Sequence, residues 1–190
     1  MNTPKYKTLL DIVIPKVALT HEQHLLKQAY TKWKAMIQRC TSKYWLTKYP
    51  TYIGCNICES WLTFSNFYSW LELTPDFQYL ELDKDILIPG NKVYSPETCC
   101  LVTQPVNCLL NANASRRGDY PIGVSYMKTK RKYAAQLRIF GVKTRLGAFN
   151  TPEEASDAYL TAKKEHILGV ALTQNVRVAT ALVTYAKSLI

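Results

Sequence analysis

Gly123-Val124, Lys132-Tyr133-Ala134-Ala135-Gln136-Leu137-Arg138, Val142-Lys143-Thr144-Arg145-Leu146-Gly147-Ala148-Phe149 and Asn150-Thr151-Pro152-Glu153-Glu154-Ala155, running on to Tyr159, form the stretch that decides the fold. Physically it reads as three short basic strands followed by a helix. In the middle strand Ala135, Leu137 and Ile139 point one way and Gln136 and Arg138 the other, the period of two expected of a half-buried strand. Gly141 marks a turn into the next strand, Val142 to Leu146. Asn150-Thr151-Pro152-Glu153-Glu154 is a helix start, with a capping residue, a proline in the first turn and two acids at the positive end of the dipole. From Arg116 to Arg145 nine lysines or arginines stand against one acid, Asp119, so most of the net charge of +10 falls in this short region. A small sheet with one charged face and one helix-backed face suits a polyanion.

The alternation places Lys132, Gln136 and Arg138 of one strand and Lys143 and Arg145 of the next on the outward face. Arginine pairs bidentately with guanine and glutamine with adenine, so Arg138, Arg145 and Gln136 are the candidate base readers. Lys128, Lys130, Arg131 and Lys132 suit phosphates. The competing reading is a solvated basic face with no ligand. With its glycines, core positions and helix start in order over about fifty residues, the stretch resembles the APETALA-two, or ethylene-response-factor, DNA-binding domain. That resemblance implies a three-stranded antiparallel sheet packed on a helix and laid in the major groove of double-stranded DNA. Where the family usually has Arg and Trp, this chain has Ser125, Met127 and Arg145, which implies a target unlike the plant sites. Arg116, Arg117 and Gly118 read as a basic linker.

At 190 residues the chain can bury one good core or two small ones. Its 47% apolar and 20% charged residues are ordinary for a folded protein and argue against wholesale disorder. A pI near 9.3 calls for an acidic partner, nucleic acid first and an anionic membrane second. The longest early apolar run, Leu9 to Val17, is interrupted by Asp11, Pro15 and Lys16, so neither a membrane span nor a signal peptide is expected. Six unevenly spaced cysteines do not make a secreted disulfide scaffold. The expected compartment is the cytoplasm, that of the host cell for a phage-encoded protein.

Upstream, Thr20 can cap a helix from His21 to about Cys40, with Leu25, Leu26, Ala29, Trp33, Met36 and Ile37 at helical spacing. Its lysines read as a solvated face, or as one that also touches DNA backbone; residues 1–50 carry nine bases against two acids. Thr41 to Pro50 reads as a loop. Trp61, Phe64, Phe67 and Trp70 form a stripe expected to be core, on a helix from about Ser65 to Leu73. Cys55 and Cys58 have the spacing of half a zinc knuckle, whose other half would come from Cys99, Cys100 or Cys108. With no second C-x-x-C, buried thiols are expected ahead of structural Zn²⁺.

Between Leu71 and Cys100 the balance reverses to six acids and two bases. Tyr79 to Leu87 alternates like a strand, Pro89-Gly90-Asn91-Lys92 and Tyr94-Ser95-Pro96-Glu97 are turns, and Pro105 opens a helix. On spacing, Asp83, Lys84 and Asp85 read as a surface turn with a local ion pair. Strand, asparagine loop, strand and helix is also the order of a ββα-metal finger. Leu82-Asp83-Lys84-Asp85, Gly90-Asn91, Tyr94-Ser95-Pro96-Glu97-Thr98-Cys99, Val102 and Asn107 resemble the phage-type HNH endonuclease core. In phage and mobile-element proteins that core is often followed by an APETALA-two-like domain, as the order here is. The resemblance implies a homing-endonuclease-like hydrolase using Mg²⁺ or another divalent metal, with Asp83 and Asn107 as ligands and Asn91 orienting the base. The base is normally a histidine at the position of Lys84. A lysine between two carboxylates is expected to keep its proton, which suits phosphate binding or leaving-group stabilisation. Asp85, two residues from Asp83 on a strand, is then a candidate second ligand or activator of a metal-bound water.

The expected fold class is therefore α+β: an N-terminal helix, a ββα-metal finger-like core, a three-stranded antiparallel sheet on a helix, and a C-terminal helix. The expected divisions are 1–112 for the HNH-like part, 113–119 for the linker, 120–168 for the DNA-binding domain and 169–190 for the last helix. Gly169 is expected to separate the last two helices. The apolar positions Val176, Val178, Ala181, Leu182, Tyr185 and Leu189 suit covering the sheet, covering the N-terminal helix, or a dimer contact. The function expected is sequence-directed double-stranded DNA binding with metal-dependent cleavage or nicking. The alternative is a catalytically degenerate DNA-binding regulator or inhibitor of host functions; an RNA-binding reading lacks any RNA-module motif.

Overall fold

The computed structural model describes residues 7–18, 20–110 and 119–189. It is an α+β protein of two compact units, divided between Thr103 and Gln104. The expected boundary at residue 112 lies outside the described residues, and the helix carrying Asn107 falls in the second unit. Nearly all of the basic linker, including Arg116 and Arg117, lies outside the described residues.

The first unit is organised by helix α1, His21–Thr41. Thr20 caps it reciprocally: its hydroxyl accepts from the Gln23 amide at 3.2 Å, and the Gln23 side chain accepts from the Thr20 amide at 3.2 Å. This capping box satisfies two amides that a helix start leaves unpaired. Ala29, Trp33, Met36 and Cys40 are the buried face. They meet Trp61, Phe64, Phe67 and Leu71 from a 3-10 turn, Glu59–Leu62, and helix α3, Phe64–Glu72. The aromatic stripe is core, as its spacing predicts, and each ring sequestered there contributes about 1.5–3 kcal/mol. The Trp33 indole donates to the Trp61 carbonyl at 2.7 Å, so the one polar atom of that ring is not stranded. Between them lies helix α2, Lys43–Lys48, where a loop is expected from sequence; Ser42 ends α1 and caps α2. Leu9 forms a single bridge with Thr63, and Asp11 caps α3 by accepting from the Ser65 amide at 3.0 Å.

Four short strands complete this unit: β1, Asn56–Ile57; β2, Glu81–Asp83; β3, Val93–Tyr94; and β4, Cys100–Val102. β1 pairs parallel to β3, and β2 pairs antiparallel to β4 with Asp83 opposite Cys100. The strand expected to reach Leu87 stops at Asp83, because Oδ1 of that residue accepts from the amides of Asp85 and Ile86, both at 2.7 Å. Such a side-chain turn supplies the partners a continuing ladder would have supplied.

In the second unit, the described part opens with helix α4, Gln104–Leu109. The antiparallel sheet follows: β5, Val124–Met127; β6, Lys132–Ile139; β7, Val142–Phe149. Helix α5, Pro152–Ala171, begins where the sequence indicates, with the Thr151 hydroxyl accepting from the Glu154 amide at 3.1 Å and proline in the first turn. It continues through Gly169, the expected stop. Helix α6, Val176–Lys187, packs on α5, with Val178, Leu182 and Ala186 buried; this helix partner is not among the three expected for its apolar stripe. Ala135, Ala155 and Tyr159 centre the core between sheet and α5. Gly123 has a φ of +78°, and a Cβ there would lie inside the Tyr159 ring. Only glycine satisfies both the backbone and the approach.

Candidate functional site

The outward face of the three-stranded sheet is set by its register. Gln136 pairs with Arg145 and Arg138 with Lys143, so these four side chains leave the same face. The pairing is not the plain alternation read from sequence. A bulge between Ala135 and Gln136 shifts the register, Ala135 facing Gly147 while Gln136 faces Arg145, and the extra residue Leu146 packs into the core. The bulge keeps Arg145 outward while Leu146 serves the core. Arg138 and Arg145 are exposed. Arg138 donates to the Gly141 carbonyl at 2.6 Å, and an Arg145 Nη lies 2.8 Å from the Met127 sulfur. Lys132 pairs with Met127 and shares this face. Lys128, Lys130 and Arg131 occupy the β5–β6 turn, all exposed, with Arg131 in the left-handed region at φ +50°. The Lys84–Asp85 ion pair lies in the first unit, and no carboxylate among the described residues is paired with the cations of this basic face.

The finger residues are arranged differently from a surface turn. Lys84 is 5% exposed, whereas a lysine beside two acids reads as solvated. Its ammonium donates to both Asp85 oxygens at 2.8 Å and to the Asn91 carbonyl at 2.7 Å, and it lies 5.9 Å from the centre of the Tyr52 ring. Asn91 is a second brace. Its amide nitrogen donates to the carbonyls of Lys84 at 2.9 Å and Val93 at 2.7 Å, and its oxygen accepts from the Val93 amide at 3.0 Å. Lys84 and Asn91 thus tie the two ends of the loop to each other.

Burial raises the Asp83 carboxyl above its usual range, against the pull of the two amides on its oxygen. Asp85 lies beyond the end of β2 in a bend, so the two carboxylates do not share a strand face as the alternation suggests. Asn107 stands half-buried on α4, in the second unit.

The Tyr94-to-Cys99 motif also acquires a packing role. Tyr94 and Cys99 are core, and Ser95 is buried, its Oγ accepting from the Thr98 amide at 3.3 Å. Burial pushes the Cys40 and Cys99 thiols up to about 12 and raises that of Cys55. Cys58 is half-buried, and its sulfur is 3.3 Å from the Ser60 hydroxyl. Among the described residues no three His, Cys, Asp or Glu side chains cluster as a metal group, and no helix is long and apolar enough to cross a membrane.

Two features escaped the sequence reading. Lysine burial at position 84 has no local signal, since Asp85 is adjacent but the Asn91 carbonyl is seven residues on and the Tyr52 ring comes from another turn. The exposed aromatic helix α2 was hidden by the shortness of its pattern. Comparison of the chain with protein-family models, curated proteins and solved structures returns no match.

Proposed function

We propose that this protein binds double-stranded DNA through the outward face of the β5–β6–β7 sheet, in the manner of the APETALA-two-like domain that its sequence resembles. One observation carries the reading: the register pairs Gln136–Arg145 and Arg138–Lys143 place two arginines, a glutamine and a lysine on one exposed face, backed by α5 and neutralised by no acid among the described residues. Arg138, Arg145 and Gln136 read base edges, and Lys143 flanks them. Lys128, Lys130 and Arg131 hold phosphates from the adjoining turn, and Lys132 does so from the start of β6. The test is selection of bound duplexes from a random pool, followed by Arg138→Ala and Arg145→Ala. Each is expected to weaken binding to the selected site by about 1–3 kcal/mol while binding to random duplex falls far less. Equal losses on both duplexes would remove the base-reading assignment.

A second reading adds metal-dependent nicking by the HNH-like finger, and the order β2, Asn91 loop, β4, α4 favours it. Within the first unit a divalent cation would have to take the remaining oxygen of Asp83 and compete with Lys84 for Asp85. The unit alone therefore offers a thin donor set. Lys84, closed in by Asp85 and Asn91, serves the loop's architecture rather than proton abstraction. This favours the non-cleaving DNA-binding protein, a regulator or an inhibitor of host functions. Supercoiled plasmid incubated with Mg²⁺ or Mn²⁺ separates the two. Nicking that disappears in both Asp83→Ala and Asn107→Ala establishes cleavage, and intact plasmid with a retained gel shift establishes binding alone.

A further inference from the structure

We infer that helix α2 is a second, sequence-independent nucleic-acid contact, in which Lys43 and Lys48 take phosphates of the polynucleotide backbone. This inference rests on the DNA-binding reading of the sheet and extends it to the first unit.

From Gln23 to Cys58 the chain contains no aspartate or glutamate, yet six cations: Lys27, Lys32, Lys34, Arg39, Lys43 and Lys48. Three of them are engaged within the protein. Lys27 donates to the Lys16 carbonyl at 3.2 Å, Lys32 bonds the Leu80 carbonyl, and Arg39 lies over the Tyr52 ring, 5.9 Å from its centre. The sixth, Lys34, is exposed on α1, and Lys43 and Lys48 are different. Both are exposed at the two ends of α2, and among the described residues neither has a carboxylate partner.

Lys48 is also positioned. Its ammonium lies 5.7 Å from the centre of the Tyr44 ring and 5.4 Å from that of Tyr49, and Tyr49 is itself stacked on Trp45 at 4.9 Å. Tyr44 is 67% exposed and Tyr49 37% exposed, so these rings hold the lysine at the surface rather than in the core. A cation held over two ring faces loses less side-chain freedom on meeting an anion than a free lysine does. The ring faces are occupied by that cation, which argues for phosphate capture over base stacking. A six-residue helix with no buried residue is too slight to lie in a bilayer interface, where a large amphipathic face is needed. The local absence of acids over thirty-six residues supplies the charge complementarity to a polyanion.

The test uses the full chain and a labelled random-sequence duplex, with affinity measured by anisotropy across a salt series. Lys43→Gln with Lys48→Gln is expected to weaken binding several-fold near 0.1 M salt and to flatten the slope of log K against log salt by about 1.8, two phosphates' worth. Tyr44→Ala with Tyr49→Ala, which keeps both charges, is expected to weaken binding while changing the slope little. All four residues are exposed, and an unchanged circular dichroism melt confirms the fold. An unchanged slope and affinity in the lysine pair overturns the α2 contact, while Arg138→Ala with Arg145→Ala, run beside it, reports independently on the sheet. Wild-type protein that binds no duplex overturns the sheet reading and the α2 contact together. Loss of binding to anionic vesicles, with no change on DNA, would assign α2 to membranes and overturn the inference.

Discussion

Replacing Gly123 by alanine tests the packing on which the three-stranded sheet depends. Two costs add. The backbone sits at φ +78°, where an L-residue pays about 1–2 kcal/mol. The new methyl would overlap the Tyr159 ring, which is 8% exposed and cannot swing freely aside; overpacking of this kind costs about 1–3 kcal/mol. The sum, about 2–5 kcal/mol, is a large part of the 5–15 kcal/mol that holds an ordinary domain. The chain offers a way to see where the loss falls. All four tryptophans, Trp33, Trp45, Trp61 and Trp70, are in the first unit, so tryptophan fluorescence follows that unit while far-ultraviolet circular dichroism follows both. Under urea, Gly123→Ala is expected to bring forward a dichroism transition and leave the fluorescence transition in place. In a Tyr159→Ala background the collision is gone, and the cost of Gly123→Ala should drop to the backbone share of about 1–2 kcal/mol. The same cost in both backgrounds would refute the collision as its cause.

Three further outcomes follow from the geometry. Lys84→Met removes the ammonium that joins Asp85 to the Asn91 carbonyl; because the Asp85 side chain is 52% exposed and rehydrates, the expected loss is about 1–2 kcal/mol, read in the fluorescence transition. A thiol reagent on the native protein is expected to modify Cys108 and Cys58 first; Cys40 and Cys99, their thiols pushed to about 12 by burial, should react only on unfolding, as mass mapping of the labelled peptides will show. Burial lowers the His166 imidazole from its usual 6.5, so the unfolded chain holds the extra proton and stability falls as the pH drops from about 6.5 through the folded value. A melt of the second unit should therefore move down between pH 7 and 5, and His166→Leu should remove that movement.

Much of the second unit was legible because its signals are local. The alternation of Ala135 to Arg138, the Thr151-Pro152-Glu153-Glu154 cap and the turn at Gly141 each involve neighbours in sequence, and each element forms there. The bulge at Leu146 was not legible, since it depends on which residue of β6 faces which of β7. Gly169 misled for a physical reason: α5 is held past it by Val170 and Ala171, both buried, which outweighs the roughly 1 kcal/mol that a helical glycine costs. In the first unit the aromatic stripe was readable at its spacing of three. The parallel pairing of β1 with β3, two residues from each of two distant segments, leaves no periodic trace. The finger shows the same divide. Its acids and its asparagine loop stand out in sequence, while the burial of Lys84 follows from Asp85, Asn91 and Tyr52 closing around it, a three-dimensional fact.

The cations of the sheet face and of α2, none of which is in an ion pair with an acid among the described residues, have a consequence for how the protein meets salt. With a net charge of +10, the free protein carries uncompensated repulsion among the cations within the sheet face and, separately, within α2. Added salt relieves that repulsion, so the unliganded fold should become firmer as ionic strength rises, while the proposed contact with DNA should loosen. Folding and binding then respond to the same variable with opposite sign. A duplex, or any dense polyanion at low salt, would act as the missing counter-charge and complete the electrostatics of the fold as it is bound.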